Sequence, residues 1–219
     1  MFRILLIPLL AVCLWSQETH PATGRRIAPV MGFGGADWLV RPERVEEEEP
    51  DKALDAIGIA AGSTVGDVGA GVGYFTWRLA ERVGPKGKVY ANDIQPRMIE
   101  ALKRNLAARD ITNVEAILST PDDPRLPARS LDLILMVDVY HEFARPEVML
   151  RKMRAALKPD GRLVLLEYRK EDPNVPIRHE HKMSVPEVKA EIEPEGFRLE
   201  KVIGTLPRQH ILIFRPSVQ

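Results

Sequence analysis

The chain has 219 residues, and its 31 Lys+Arg balance 31 Asp+Glu to zero formal charge. That length suits one α/β domain with modest extensions, and 45% hydrophobic residues can fill a core. The lack of a basic excess argues against a general nucleic-acid binder. The lone cysteine, Cys13, excludes an intrachain disulfide, a cysteine-built zinc site and a CxxC redox pair.

Residues 1–16 read as a signal-like leader, with Arg3 ahead of an apolar run from Ile4 to Trp15. The run is shorter than the roughly 20 apolar residues of a membrane-spanning helix, so no stable span is expected. Cleavage after Ser16 is the expectation, and Val12 before Cys13 departs from a lipoprotein box. Export or a periplasmic location follows if the leader is used, and a cytoplasmic one if translation starts at Met31. Residues 17–49 read as a linker or lid, Gly-rich around Met31 to Trp38. The acidic run from Glu46 to Glu49 reads as a solvated helix face. The main domain is expected over residues 50–219. Pro50 opens a helix that Gly58 ends.

From there strands and helices alternate. Strands are predicted at 64–68, 88–92, 114–118, 131–137 and 163–167, with helices at 74–83, 96–109 and 146–157. Ser184 and Glu187 have capping-box spacing for a further helix. Two last strands, 197–203 and 211–214, have no helix between them and must pair antiparallel. The pattern is an α/β, doubly wound, Rossmann-like sheet of seven strands, mostly parallel, with an antiparallel C-terminal hairpin.

The chief chemical signal is Gly66-Asp67-Val68-Gly69-Ala70-Gly71-Val72-Gly73-Tyr74, between the first strand and its helix. Glycines there let the backbone turn tightly and approach a ligand. Counted from Gly69 the spacing is GxGxG with Tyr74 sixth, so the third glycine of the dinucleotide fingerprint is missing. Asp67 before the glycines would repel a pyrophosphate and attract an ammonium. Asp93, ending the second strand, can accept from both hydroxyls of a ribose. Asp122 and Asp123, after the third strand, are candidates to face an adenine amino group or simply to build a turn.

These residues resemble class I S-adenosylmethionine-dependent methyltransferases over residues 50–214. The likeness includes Asp67 to Thr76, Asp93, the segment Leu131 to Phe143, and Leu157-Lys158-Pro159-Asp160-Gly161. The leader, Gly-Ala-Asp-Trp, Arg-Pro-Glu-Arg and glycine motif together are similar to an uncharacterised bacterial group within it. The resemblance implies S-adenosylmethionine as cofactor. Gly69, Gly71 and Gly73 would pass its methionine part, Asp67 would lie near its amino group and Asp93 would hold the ribose. Asp122 or Asp123 would face the adenine, and Asp138 stands at the same carboxyl edge. His141 is the expected base, where one is needed, since its reference pKa is near neutrality. Glu142 is a candidate to orient it. Tyr168, Arg169, His179, His181 and His210 are further lining candidates. The close spacing of His179 and His181 is weak for a metal, and no metal site is expected.

The implied function is methyl transfer to a small-molecule acceptor. No nucleic-acid partner is expected, because no Asn-Pro-Pro-Tyr-type segment follows the fourth strand. A catalytically silent binding protein of the same fold is the alternative, and a nicotinamide oxidoreductase a more distant one.

Overall fold

The computed structural model describes residues 19–217, so the leader expected at residues 1–16 lies outside the described residues. The core is a seven-stranded sheet: β1 (Thr64–Val68), β2 (Lys88–Asp93), β3 (Val114–Leu118), β4 (Leu131–Val137), β5 (Leu157–Tyr168), β6 (Phe197–Ile203) and β7 (Gln209–Pro216). Their order is β3-β2-β1-β4-β5-β7-β6, parallel from β3 to β5. β7 runs antiparallel between β5 and β6, as the short connection between the last two strands requires. The expected architecture is therefore the observed one.

Six α-helices accompany the sheet, besides short 3-10 turns: α1 (Arg44–Glu48), α2 (Pro50–Ile57), α3 (Thr76–Val83), α4 (Pro96–Ala107), α5 (Pro146–Ala156) and α6 (Val185–Ile192). Pro50, Pro96 and Pro146 sit at first helical turns, where a missing N–H removes no bond. Ser184 and Glu187 form the predicted capping box of α6. The sheet's two faces are covered by separate clusters. One joins α2, α3 and α4 through Leu54, Leu79 and Leu102; the other joins α5 and α6 through Leu150, Met153 and Ile192. No helix among the described residues is long and apolar enough to cross a membrane.

Two details differ from expectation. β5 begins at Leu157, because residues 157–161 continue the strand past a register shift opposite Leu131 and Leu133. α3 begins at Thr76, because Gly69, Gly71 and Gly73 all have positive φ and hold the preceding loop out of helical conformation.

Residues 19–49 pack across the carboxyl end of the sheet. The amide of Ala28 donates to the carbonyl of His141 at 3.0 Å. Gln95 Nε2 donates to the carbonyl of Met31 at 3.0 Å. A 3-10 helix, Phe33–Val40, packs on α4 through Phe33, Ala36 and Leu39. The acidic run is solvated only in part: Glu46 is exposed, and Glu47 and Glu49 are half-buried. Glu48 is fully buried, accepting from Arg44 Nε at 2.7 Å and from the Tyr168 hydroxyl at 2.7 Å.

Candidate active site

A cavity of about 670 Å³ opens at the carboxyl end of β1, β2 and β4, where open α/β sheets bind ligands. Residues 29–44 form its roof through Met31, Trp38, Leu39 and Arg44. Arg44 is fixed there by Glu48 and by its 2.8 Å bond to the Leu39 carbonyl.

The glycine loop divides its labour. Gly69 and Gly71 line the cavity, with φ of 74° and 55°. A Cβ on Gly69 would lie 2.4 Å from Val139 Cγ2, so only glycine lets β1 and β4 end this close. Gly73 does not line the cavity. Its φ is 93° and a Cβ there would meet Leu102 Cδ1 at 2.5 Å, so it seats the loop on α4. The close-packing role that appeared vacant at Tyr74 belongs to Gly73.

The acids separate likewise. Asp93 lines the cavity, accepting from the Gly71 amide at 3.1 Å and the Gln95 amide at 2.8 Å. It thereby ties the end of β2 to the loop after β1. Asp67 lies beneath the loop instead, buried and bonded to Thr76 Oγ1 at 2.6 Å. Burial pushes its pKa up to about 6, against the Thr76 bond. Asp122 and Asp123 do not line the cavity. Asp122 accepts from Thr120 Oγ1 and Arg145, and Asp123 caps the turn at the Arg125 amide and faces Lys152. Ser119, Thr120 and Pro121 line that end in their place.

Asp138 follows β4 with φ 49°, a conformation that a short acidic side chain tolerates. Its Oδ2 accepts from Gln209 Nε2 at 2.6 Å, while its Oδ1 is shielded from solvent and has no partner among the described residues. Desolvation, then the neighbouring Glu48 and Glu167, hold its pKa well above the carboxylate range.

His141 sits in a 3-10 turn, Tyr140–Glu142, directly after Asp138 and Val139. Glu142 does not orient it. Glu167 does, from β5: its Oε2 is 2.7 Å from His141 Nδ1, and its Oε1 accepts from the Tyr140 amide at 3.1 Å. Nδ1 therefore carries the proton in the neutral ring, and Nε2 is left as the acceptor. His181 Nδ1 lies 3.1 Å from Nε2. Glu142 lines the same end, with its Oε1 accepting from the Met31 amide at 3.3 Å. Burial pushes the Glu142 carboxyl up to about 7.

Of the other candidates, Tyr168 and His181 line the cavity. Arg169 holds the carbonyls of Leu206 and Gln209, and His179 and His210 stand outside the lining. Glu167, Arg44 and Glu48 were not singled out as site residues. Glu167 did carry a signal: it is an acid inside the otherwise apolar run from Leu163 to Tyr168. One grouping escaped the sequence reading. Potential ligand atoms of His141, Glu142 and His181 lie within 4.8 Å of one another. The pairing spans 40 residues, so local spacing could not show it.

Comparison with known proteins identifies the family and the fold. The methyltransferase-domain family matches residues 59–202. The ubiquinone/menaquinone biosynthesis C-methyltransferase of Hahella chejuensis is 30% identical over 118 residues, 53% of this chain and 47% of that protein. The chain thus spans about half the length of the curated relatives it matches. A crystal structure of a SAM-dependent methyltransferase from Aquifex aeolicus superposes with a TM-score of 0.81 and 29% identity, covering 86% of this chain and all of that one. A type 11 methyltransferase structure from Sulfolobus solfataricus, at 23% identity and a TM-score of 0.63, shares the fold over 79% of this chain and 95% of its own. The chain belongs to the methyltransferase-domain family and carries the class I S-adenosylmethionine-dependent methyltransferase fold.

Proposed function

We propose that this protein transfers a methyl group from S-adenosylmethionine to a small, largely apolar acceptor carrying one acidic hydroxyl, such as a phenol or enol. The observation that carries the reading is the meeting, in one cavity, of a cofactor-type cradle and the buried Glu167–His141 pair.

The cradle fits the cofactor. Gly69 and Gly71 present backbone without a Cβ. The solvent-shielded Oδ1 of Asp138 lacks a partner, and an ammonium supplies one. Asp93 stands where it would accept from the hydroxyls of a ribose. When bound, S-adenosylmethionine supplies a methyl group on an electron-poor sulfonium sulfur.

The protein's own contribution is position and charge. Met31, Leu39, Val139, Phe143 and Ile177 give the rest of the cavity an apolar wall that excludes water. Glu167 holds the His141 proton on Nδ1, which leaves Nε2, beside His181, as the basic nitrogen. It draws the acceptor oxygen toward its anionic form. The acceptor then gives an electron pair to the methyl carbon, the carbon–sulfur pair stays on sulfur, and one proton leaves the acceptor. Carbon as the methylated atom is supported by the relatives named as C-methyltransferases.

The test is release of S-adenosylhomocysteine across a panel of phenols and enolisable diketones. Turnover with at least one, lowered roughly 100-fold or more in His141→Gln, is the expected result. Turnover confined to amines or thiols, with His141→Gln fully active, would overturn it.

A further inference from the structure

We propose that His141, Glu142 and His181 form a binding site for one first-row divalent cation at the polar end of the cavity. This rests on the methyltransferase reading and names how that site holds its acceptor.

Three observations carry it. First, the donor atoms are already gathered. His141 Nε2 and His181 Nδ1 are 3.1 Å apart, and Glu142 Oε1 is 3.9 Å from His181 Nδ1. A cation with bonds of about 2.0–2.2 Å spaces tetrahedral donors roughly 3.4 Å apart, so small side-chain rotations suffice. Second, the outer support is built. The fully buried Glu167 accepts the His141 Nδ1 proton at 2.7 Å, which aims the Nε2 lone pair and raises its donor strength. A carboxylate behind a ligating histidine is the usual arrangement at metal sites. The Met31 amide likewise holds Glu142 at 3.3 Å. Third, acids are present to hold a cation. Glu142 and Glu167 bring two carboxyl groups to this end beside His141 and His181, with Arg25 and Arg178 the cationic groups nearby, and a dication can be held between the two acids.

Two imidazoles and one carboxylate suit zinc, cobalt or manganese better than magnesium or calcium, which favour all-oxygen shells. Three protein ligands leave a position open, and the set faces the cavity. The ligand for that position is the acceptor's hydroxyl oxygen, bound as its anion after its proton passes to solvent. The cation thereby orients the acceptor and strengthens its nucleophile.

The test uses the full chain stripped with EDTA and titrated with Zn²⁺ by calorimetry and with Co²⁺ by visible absorption. One saturable ion per chain is expected, with intensified Co²⁺ d–d bands and a raised Tm. His181→Ala, on a half-buried turn, should abolish saturable binding. Glu167→Gln should weaken it about 10–100-fold. S-adenosylmethionine binding to the stripped protein and to each variant confirms an intact fold, and it reports on the cofactor reading without any cation. Absence of saturable Zn²⁺ and Co²⁺ binding, or equal affinity in His181→Ala, would overturn the site even where the cofactor binds normally.

Discussion

Arg25 and Glu191 form a two-pronged ion pair across the fold, Nε to Oε1 at 2.9 Å and Nη2 to Oε2 at 3.0 Å, with both side chains buried. The same guanidinium donates to the carbonyl of His141 at 3.2 Å. The segment before the glycine-rich stretch thus anchors α6 and the turn that carries His141. Glu191 also accepts from Thr23 Oγ1 at 2.6 Å, and His20 Nε2 lies 3.5 Å away, so its side-chain partners cluster in this one segment.

That arrangement makes the Met31 start testable. A chain beginning at Met31 would leave Glu191 as a buried charge without its partners. Breaking a buried pair from one side costs about 3–5 kcal/mol. Urea unfolding should therefore show the 31–219 form, and Arg25→Met, less stable by that order. Equal midpoints would show that residues 19–30 are dispensable to the fold. Mass spectrometry of the mature N-terminus, with fractionation, tests the proposed export of the chain.

Asp93→Ala should weaken S-adenosylmethionine binding by about 1–3 kcal/mol, the cost of leaving buried donors unpaired. Asp93 already uses both oxygens, on the Gly71 and Gln95 amides, and each carboxylate oxygen has a further lone pair for a ribose hydroxyl. Calorimetry decides it, with Tm as the control for folding. Unchanged affinity would remove Asp93 from the cofactor site.

Much of the sheet was legible because its signal is local. Apolar runs such as Leu131–Val137 and the prolines at helix starts declare themselves within one element. The site was legible chiefly at or just after strand ends, at Gly69, Gly71, Asp93, Asp138, His141 and Glu142, with Tyr168 and His181 also among the candidates that line the cavity. What stayed hidden depends on pairings distant in sequence. Nothing near Arg25 announces a partner 166 residues on. Glu48 looks like its neighbours in an acidic run, and its bonds to Arg44 and Tyr168 bring it into the core. Asp122 was misleading for the opposite reason: its turn chemistry is local, and it is satisfied by Thr120 and Arg145 away from the cavity.

Gly71→Ala and Gly73→Ala should fail differently. Both positions have positive φ, which costs an alanine roughly 1–2 kcal/mol. At Gly73 the new methyl also meets Leu102 at 2.5 Å, so the loss falls mainly on Tm. At Gly71 the nearest atom, Leu39 Cδ1, is 3.0 Å away at the end of a flexible side chain, and the methyl enters the cavity wall. The loss there should fall mainly on cofactor affinity. The reverse pattern would exchange their roles.

Asp67 predicts a pH effect on stability. Burial raises its folded pKa to about 6, the nearby Asp93 adds to this, and Thr76 and Arg44 oppose it. Unfolded, an aspartate titrates near 3.9. Between roughly pH 4 and 6 the folded state therefore holds more protons, and stability falls as pH rises, by on the order of 2–3 kcal/mol in all. Above that window the contribution is flat. Asp67→Asn removes the titration, so the stability of wild type relative to this variant should decline from pH 4 to pH 6.5. A constant difference in urea midpoints would contradict the assignment.

Asp138→Asn should separate stability from function. The native carboxylate is desolvated, crowded by Glu48 and Glu167, and leaves Oδ1 without a partner. Asparagine keeps the shape and suits the positive φ of 49°. Its carbonyl oxygen can still accept from Gln209 Nε2. Replacing a carboxyl whose ionisation is opposed by burial and by two neighbouring acids with a neutral amide should raise Tm at neutral pH. An ammonium bound at Oδ1 would lose a charge-assisted hydrogen bond, worth about 1.5–3 kcal/mol. S-adenosylmethionine affinity should then fall about 10–100-fold, while an analogue lacking the amino group should bind wild type and variant alike. A variant that is more stable and binds the cofactor normally would show that Asp138 strains the fold for some purpose other than holding that ammonium.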